Sequence, residues 1–97
     1  MAEIRWTEEA VRWLEDIYSY ISENNPSAAS KVIQGIYNKV QYLTDFPRMG
    51  YIYQKIKDKE VRVLLYGHYR IAYLVKTNND IDILGVFHGA MDISRVL

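Results

Sequence analysis

Two arginines inside strand-like segments are the positions of this chain where chemistry is most expected. Arg62 and Arg70 each interrupt a run of Val, Leu, Ile and Tyr residues. A guanidinium buried without a partner is strongly destabilising, so each must reach water, a carboxylate or a ligand. Antiparallel pairing across the turn between them predicts that both lie on one exposed sheet face, which would bind phosphate or an acidic protein surface. The alternative is structural, with both arginines paired to Asp82, Glu60 or a partner protein.

A histidine at the end of the last strand-like segment, His88, is the next candidate. An imidazole with an unperturbed pKa of about 6.5 can act as a general acid or base at neutral pH. A hydrogen-bonded structural role is the alternative, and it is the commoner one for a single histidine in such a place. His68 stands in a turn and is expected to be solvated. Because the chain has no cysteine and no His-x-x-x-His spacing, it predicts no metal site and no cofactor.

Length and composition indicate one domain over residues 1–97. Hydrophobic residues make up 49% of the chain and charged residues 25%, and the net charge is zero. This balance excludes a uniformly basic nucleic-acid-binding protein. Residues 48–76 nevertheless hold seven Lys/Arg against two Asp/Glu. This basic segment is interpreted either as a solvated loop or as a binding patch. No run approaches the roughly 20 apolar residues of a membrane span, and the start lacks a signal-peptide pattern, so we expect a cytoplasmic protein without membrane contact.

Two amphipathic helices are predicted in the first half of the chain. Residues 2–6 alternate apolar and polar side chains as in a short strand. Thr7 then offers an N-cap, and an apolar stripe at helical spacing follows it. Asn25 and Pro26 predict the cap and first position of a second helix, which must end before Pro47. The short connection predicts that the two helices form an antiparallel hairpin.

The apolar period changes from that of a helix to that of a strand after the second helix. Alternating segments at 61–66, 69–75 and 81–88 are separated by turn residues, and residues 51–56 are a candidate fourth strand. Tight turns require antiparallel pairing. The predicted fold class is therefore α+β: an N-terminal strand and a helical hairpin packed on a three- to four-stranded twisted antiparallel sheet. A final helical turn is expected over residues 92–97.

Six short motifs follow one another between residues 4 and 94. They are Trp6-Thr7-x-x-Ala10, Asn25-Pro26-x-Ala28-Ala29, Leu43-x-x-Phe46-Pro47-x-x-Gly50, Val61-Arg62-Val63-Leu64, Tyr69-Arg70-Ile71-x-Tyr73 and Ile83-Leu84-Gly85-Val86-x-His88. In this order and spacing, the chain resembles the toxin superfamily of type II toxin–antitoxin systems that includes RelE and ParE. The closer resemblance is to the ParE, or plasmid stabilisation, branch.

The resemblance implies a bacterial growth-arresting toxin that a cognate, ParD-like antitoxin neutralises and that contacts DNA only through the antitoxin. Its fold would be the helical hairpin on a sheet described above. The ParE branch acts on DNA gyrase by binding, without enzymatic chemistry. The RelE branch cuts mRNA in the ribosome without a metal ion. The resemblance also places a functional arginine of the RNase branch at Arg70.

The residues favour the gyrase branch. RelE-type cleavage takes basic residues from the middle strands plus an Arg and a Tyr or His near the C-terminus, whereas here the strand-lysine position holds Val61-Arg62-Val63 and no tyrosine follows His88. We therefore expect binding rather than catalysis. The candidate target-binding residues are Arg62, Arg70, His88, Met91 and Asp92. One alternative is a ribosome-dependent mRNA endonuclease that uses Arg62, Arg70 and His88, and another is an inactive homologue that only binds antitoxin.

Met91 is a departure from the family pattern. Members of this branch commonly read His-x-x-Arg-Asp, and here Met91 takes the place of the arginine before a retained Asp92. A thioether of similar length lacks every donor of a guanidinium. Natural drift, selection for survival of expression, and deliberate detoxification remain open as explanations.

Overall fold

Helices and strands follow one another in the order that the sequence predicts. The computed structural model describes residues 3–89, so the expected helical turn over 92–97 lies outside the described residues, as do Met91 and Asp92. The elements are β1 (Ile4–Trp6), α1 (Glu8–Ser22), α2 (Pro26–Gln41), a 3-10 turn (Tyr42–Thr44), β2 (Tyr51–Ile56), β3 (Lys59–Tyr66), β4 (Tyr69–Val75) and β5 (Ile81–His88). The α+β class is confirmed, and so is the candidate fourth strand at 51–56.

Both helices begin where local capping chemistry places them. The hydroxyl of Thr7 accepts a hydrogen bond from the amide of Ala10 at 3.1 Å. The side-chain oxygen of Asn25 accepts from the amide of Ala28 at the same distance, and Pro26 occupies the first position of α2. These bonds satisfy amide groups that a helix N-terminus leaves without a partner, and they confirm the predicted helix starts.

The sheet has five strands in the order β1-β5-β4-β3-β2. Strands β2 to β5 pair antiparallel, whereas β1 pairs parallel with β5, from Ile4 opposite Ile81 to Trp6 opposite Ile83. The N-terminal strand therefore enlarges the predicted sheet. Strand β2 forms the far edge, all six of its residues are exposed, and its pairing with β3 is irregular between Ile52 and Gln54.

The main core lies between the helices and one sheet face. Fully buried residues of the helical segment, such as Ile36 and Val40, pack in one cluster with Ile71, Tyr73 and Val86 of the sheet. The apolar stripes of the two helices therefore point inward, as amphipathic helices require. This cluster fixes which sheet face each strand residue occupies, because neighbours alternate sides along a strand.

The tyrosines of the helices and of the sheet differ in burial. Tyr73 is buried, whereas Tyr18 and Tyr37 are 41% and 47% exposed. They lie at the margin of the helical stripe, where a ring can pack on one side only. The ring of Tyr37 stacks on Trp6 with centroids 6.3 Å apart.

Trp13 packs at the end of β5 that β1 does not reach. Strand β1 ends opposite Ile83, where Thr7 donates to the Ile83 carbonyl oxygen through both its amide and its hydroxyl. Beyond that point Trp13 of α1 is half-buried and meets the ring of Phe87 edge-on, with centroids 4.8 Å apart. Trp13 therefore packs against this margin of the sheet.

Candidate functional site

The guanidinium of Arg62 is committed to hydrogen bonds within the fold. Its Nε donates to Oε1 of Glu60 at 2.9 Å, and its Nη1 donates to the carbonyl oxygens of Gly50 at 2.6 Å and Arg48 at 3.2 Å. Only 12% of the side chain is exposed. The pairing with Glu60, one of the two interpretations of the sequence, is what the structure shows.

Glu60 is shared between two arginines. Its Oε1 also lies 3.4 Å from Nε of Arg48, whose Nη1 donates to the side chain of Asn79 at 3.1 Å. The hydrogen bond from Arg62 holds the pKa of Glu60 below its ordinary value, with further lowering from the nearby cations. Two cations thus surround one carboxylate, which leaves this end of the sheet positively charged.

Tyr73 of β4, like Arg62 of β3, binds the main chain of the segment that precedes β2. Its hydroxyl donates to the carbonyl oxygen of Pro47 and accepts from the amide of Gly50, both at 2.9 Å. Burial raises the pKa of Tyr73, so the phenol stays neutral and keeps its proton for donation. Together Arg62 and Tyr73 fix the backbone of residues 46–50, here called the 46–50 loop.

Arg70 lies on the opposite face from Arg62, so the expectation of one shared face is wrong. Arg62 stands opposite Tyr73, and three positions, an odd number, separate Tyr73 from Arg70 on the same strand. The cause is the turn at Gly67, which pairs Tyr66 with Tyr69 and so sets the register.

Arg70 is half-buried between neighbours that leave its guanidinium available. It stands opposite Leu65 on β3 and Phe87 on β5. Within residues 3–89, its side chain makes neither a hydrogen bond nor an ion pair, in contrast with that of Arg62. A fixed guanidinium with its donors available can bind a carboxylate or a phosphate of another molecule.

His88 is exposed at the end of β5 and lies among aromatic rings. It stands opposite Tyr69, which meets it edge-on at 5.8 Å, and its ring stacks near that of His68 at 6.3 Å between centroids. His68 is exposed, as expected, but it also has this stacking contact. The amide of Gly89 donates to the carbonyl oxygen of His68 at 2.6 Å, which fixes the turn against the end of β5.

The structure does not bring Arg62, Arg70 and His88 together. His88 pairs with Tyr69 and lies on the same face of the sheet. Arg70 is the next residue after Tyr69 on β4, so it lies on the opposite face from His88. Arg62 is on the same face as His88 but about four residues, or roughly 13 Å, further along the sheet. These three side chains do not surround a common position in the described part of the chain.

Asp82 pairs with cations other than the two that the sequence suggested for it. Its carboxylate accepts two hydrogen bonds from Arg5, each at 3.1 Å, and lies 3.2 Å from Nζ of Lys76. Burial raises the pKa of Asp82, but the bonds from these cations outweigh that effect, and the pKa is lowered. This cluster ties β1 to β5 and leaves Arg70 without that partner.

An exposed apolar concavity was not predicted from the sequence. It has a volume of about 540 Å³ and is lined by Phe46, Pro47, Arg48 and Met49 of the 46–50 loop. Phe46 and Met49 are 60% and 41% exposed. The only sequence signal was the Phe46-Pro47 pair, which we interpreted as the limit of the second helix, because proline disfavours helical geometry in the residue before it.

Residues 3–89 contain no group of three or more acidic or histidine side chains arranged to hold a metal ion. Neither helix of that range is long and apolar enough to cross a membrane.

Comparison with known proteins assigns the family. Residues 4–93 match the family model described as "ParE toxin of type II toxin-antitoxin system, parDE". The chain belongs to this ParE toxin family. It is 35% identical over 94 residues to a protein of Sinorhizobium fredii (strain NBRC 101917 / NGR234) named "Putative toxin Y4kP". The match covers 97% of this chain and 95% of that protein.

Solved structures agree with the fold of the ParE chain. A chain of the chromosomal ParDE TA system from P. aeruginosa superposes with a TM-score of 0.73 at 25% identity, covering 91% of this chain and 96% of that one. A chain of the archaeal RelE-RelB complex from Pyrococcus horikoshii OT3 gives a TM-score of 0.67 at 16% identity, covering 94% and 98%. The second likeness concerns the fold alone.

Proposed function

We propose that this ParE toxin arrests bacterial growth by binding DNA gyrase and that Arg70 makes a principal contact with the target. The availability of Arg70 supports the proposal most directly. Arg70 is half-buried as a residue, and its guanidinium has no partner among residues 3–89, so its donors can bind another molecule. His88 at the same end of the sheet, with Met91 and Asp92 beyond the described residues, remains a predicted contributor.

Binding is favoured over RNA cleavage by the positions of the other candidates. Cleavage needs a base, an acid and cations around one phosphate. Arg62 is occupied by Glu60 and the 46–50 loop, while His88 and Arg70 point to opposite faces. The residues that the endonuclease alternative requires are therefore dispersed, and the gyrase proposal needs no such assembly.

We also propose that a cognate antitoxin neutralises this toxin in the bacterial cytoplasm. The structural relatives come from a ParDE system and a RelE-RelB complex, each named with its partner protein. The antitoxin would place an extended segment and an amphipathic helix across the helical hairpin and the sheet. The amphipathic segment would lie on apolar side chains that the helices leave exposed, such as Val11 and Tyr18.

Two parallel assays of the purified toxin test the target. Inhibition of gyrase supercoiling, without cleavage of mRNA in a ribosome-containing translation reaction, is the expected result. Ribosome-dependent cleavage without gyrase inhibition would support the endonuclease alternative and overturn the proposal. If the toxin shows neither activity, the result would indicate a homologue that only binds antitoxin.

The role of Arg70 is tested by Arg70→Ala, with Lys31→Ala on the exposed side of α2 as the matched cationic control. Arg70→Ala is expected to weaken gyrase inhibition at least about tenfold, as loss of an arginine at the centre of an interface does. Lys31→Ala should inhibit like the wild type. Equal inhibition by the two variants would show that the target is bound elsewhere.

A further inference from the structure

The 46–50 loop combines a fixed backbone with exposed apolar side chains. Four hydrogen bonds join the side chains of Arg62 and Tyr73 to main-chain atoms of Pro47, Arg48 and Gly50. Connecting loops are usually among the more mobile parts of a domain. Here, the buried Tyr73 and the largely buried Arg62 hold a loop whose own side chains Phe46 and Met49 are exposed to solvent.

A fixed apolar surface of this kind is suited to binding. Ordering a flexible loop on association costs free energy, and a loop that is already ordered avoids that cost. The concavity of about 540 Å³ between Phe46 and Met49 is large enough for one bulky apolar side chain of a partner. Anchors of this kind carry much of the free energy of protein–protein binding.

The charge around the loop selects the partner. Residues 46–62 carry five Lys/Arg against two Asp/Glu. Glu60 is already occupied by Arg48 and Arg62, and the lysines of the β2–β3 hairpin, at positions 55, 57 and 59, are exposed. A second copy of this chain would bring a like-charged surface to the same place, whereas an acidic segment is attracted to it.

We propose that the 46–50 loop is a preformed docking surface for an acidic segment of the antitoxin, which inserts one large apolar side chain between Phe46 and Met49. This inference rests on the antitoxin partner proposed above. The loop is bound to Arg62 and Tyr73, which lie on one face of the sheet, whereas Arg70 lies on the opposite face. Docking at the loop and contact with the target therefore use separate surfaces.

The separation of the two surfaces allows a test by growth. The toxin gene is induced alone or together with the reading frame adjacent to it, whose product is the antitoxin probe. Phe46→Asp, which places a carboxylate in the concavity, should still arrest growth alone but should not be rescued by the antitoxin. Asn24→Asp is the charge-matched control, because it adds a carboxylate in the exposed turn between α1 and α2, at the other end of α2 from the 46–50 loop, and this variant should be rescued like the wild type.

A binding measurement with purified toxin and antitoxin shows how much affinity the Phe46 side chain contributes. Phe46→Ala is expected to weaken antitoxin binding about 10- to 100-fold, with an unchanged melting temperature, because the side chain is exposed in the free toxin. This measurement also decides the matter if Phe46→Asp fails to arrest growth.

Other outcomes would overturn the inference. If the antitoxin rescues Phe46→Asp as efficiently as the wild type, or if Phe46→Ala binds the antitoxin with unchanged affinity, the antitoxin does not bind the 46–50 loop. A wild-type toxin that is dimeric alone, and monomeric as Phe46→Asp, would assign the loop to a second copy. Failure of the wild type itself to arrest growth would instead contradict the proposed function, and the binding assay would still report on the loop.

Discussion

The hydroxyl of Tyr73 lies 2.9 Å from the amide nitrogen of Gly50, a residue 23 positions earlier in the chain. The two are joined across the core, and the same hydroxyl donates to Pro47. The arrangement excludes a side chain at Gly50, since a Cβ there would lie 2.5 Å from the carbonyl oxygen of Val63. One phenol thus sets the start of β2.

Removing this hydroxyl by Tyr73→Phe should lower the free energy of unfolding by about 1–3 kcal/mol, because it leaves a buried amide without an acceptor. Hydrogen exchange at the Gly50 amide should accelerate. Tyr69→Phe is the control, since the Tyr69 hydroxyl makes no hydrogen bond within residues 3–89. Similar exchange at Gly50 in both variants would contradict the assigned role.

The two arginines should separate stability from toxicity. Arg62→Ala deprives two loop carbonyl groups and Glu60 of their donor, so its melting temperature should fall by at least about 4 °C. Arg70→Ala should melt within about 2 °C of the wild type while losing gyrase inhibition. Thermal melting and the supercoiling assay on both proteins are sufficient, and the reverse pattern would exchange the two roles.

The carboxylate of Asp82 should make stability depend on acid pH. Its folded-state pKa is lowered from the ordinary value of 3.8, so its contribution is present above that pH and is lost as the pH falls below it. Asp82→Asn should therefore be less stable than the wild type at pH 7, and the difference should shrink towards pH about 2. Urea unfolding across this range measures it. A constant difference would show that the charge is not responsible.

A glycine in α2 should resist replacement by a better helix former. A Cβ at Gly35 would overlap the hydroxyl of Tyr66, whose ring packs against the helix there. Gly35→Ala should therefore destabilise the protein, although alanine is favoured over glycine in exposed helices by about 1 kcal/mol. Ser30→Ala, at an exposed position of α2, should be neutral or slightly stabilising. Thermal melts of the two variants test the contrast.

The departure at Met91 has its own test. Met91→Arg completes the His-x-x-Arg-Asp pattern described above. We expect this variant to increase growth arrest on induction without antitoxin. Colony counts after induction, at matched protein levels, report the effect. Equal counts for the two versions would argue against a role of this position.

Local signals predicted most of the fold. The caps at Thr7 and Asn25 and the period change after the second helix each depend on neighbouring residues, so they can be recognised in a sequence. Parallel pairing of β1 with β5 was not predicted, because its partners are 77 residues apart. Such long-range pairing leaves no local pattern.

The candidate site was harder to predict, because it depends on register and on distant backbone atoms. Whether Arg62 and Arg70 share a face changes with a shift of one residue at Gly67. The carbonyl groups that occupy Arg62 belong to residues 12 and 14 positions earlier. Main-chain acceptors exist at every residue, so the sequence does not mark the ones that an arginine will find.

The contacts that hold the 46–50 loop have a consequence for how toxins of this kind diversify. All four bonds end on main-chain atoms of the loop, so they do not depend on the side chains at positions 46 and 49. Those positions can therefore exchange residues during evolution while the scaffold beneath them stays constant. Paralogous copies in one genome could acquire distinct recognition surfaces in this way, and each would remain insulated from the partners of the others.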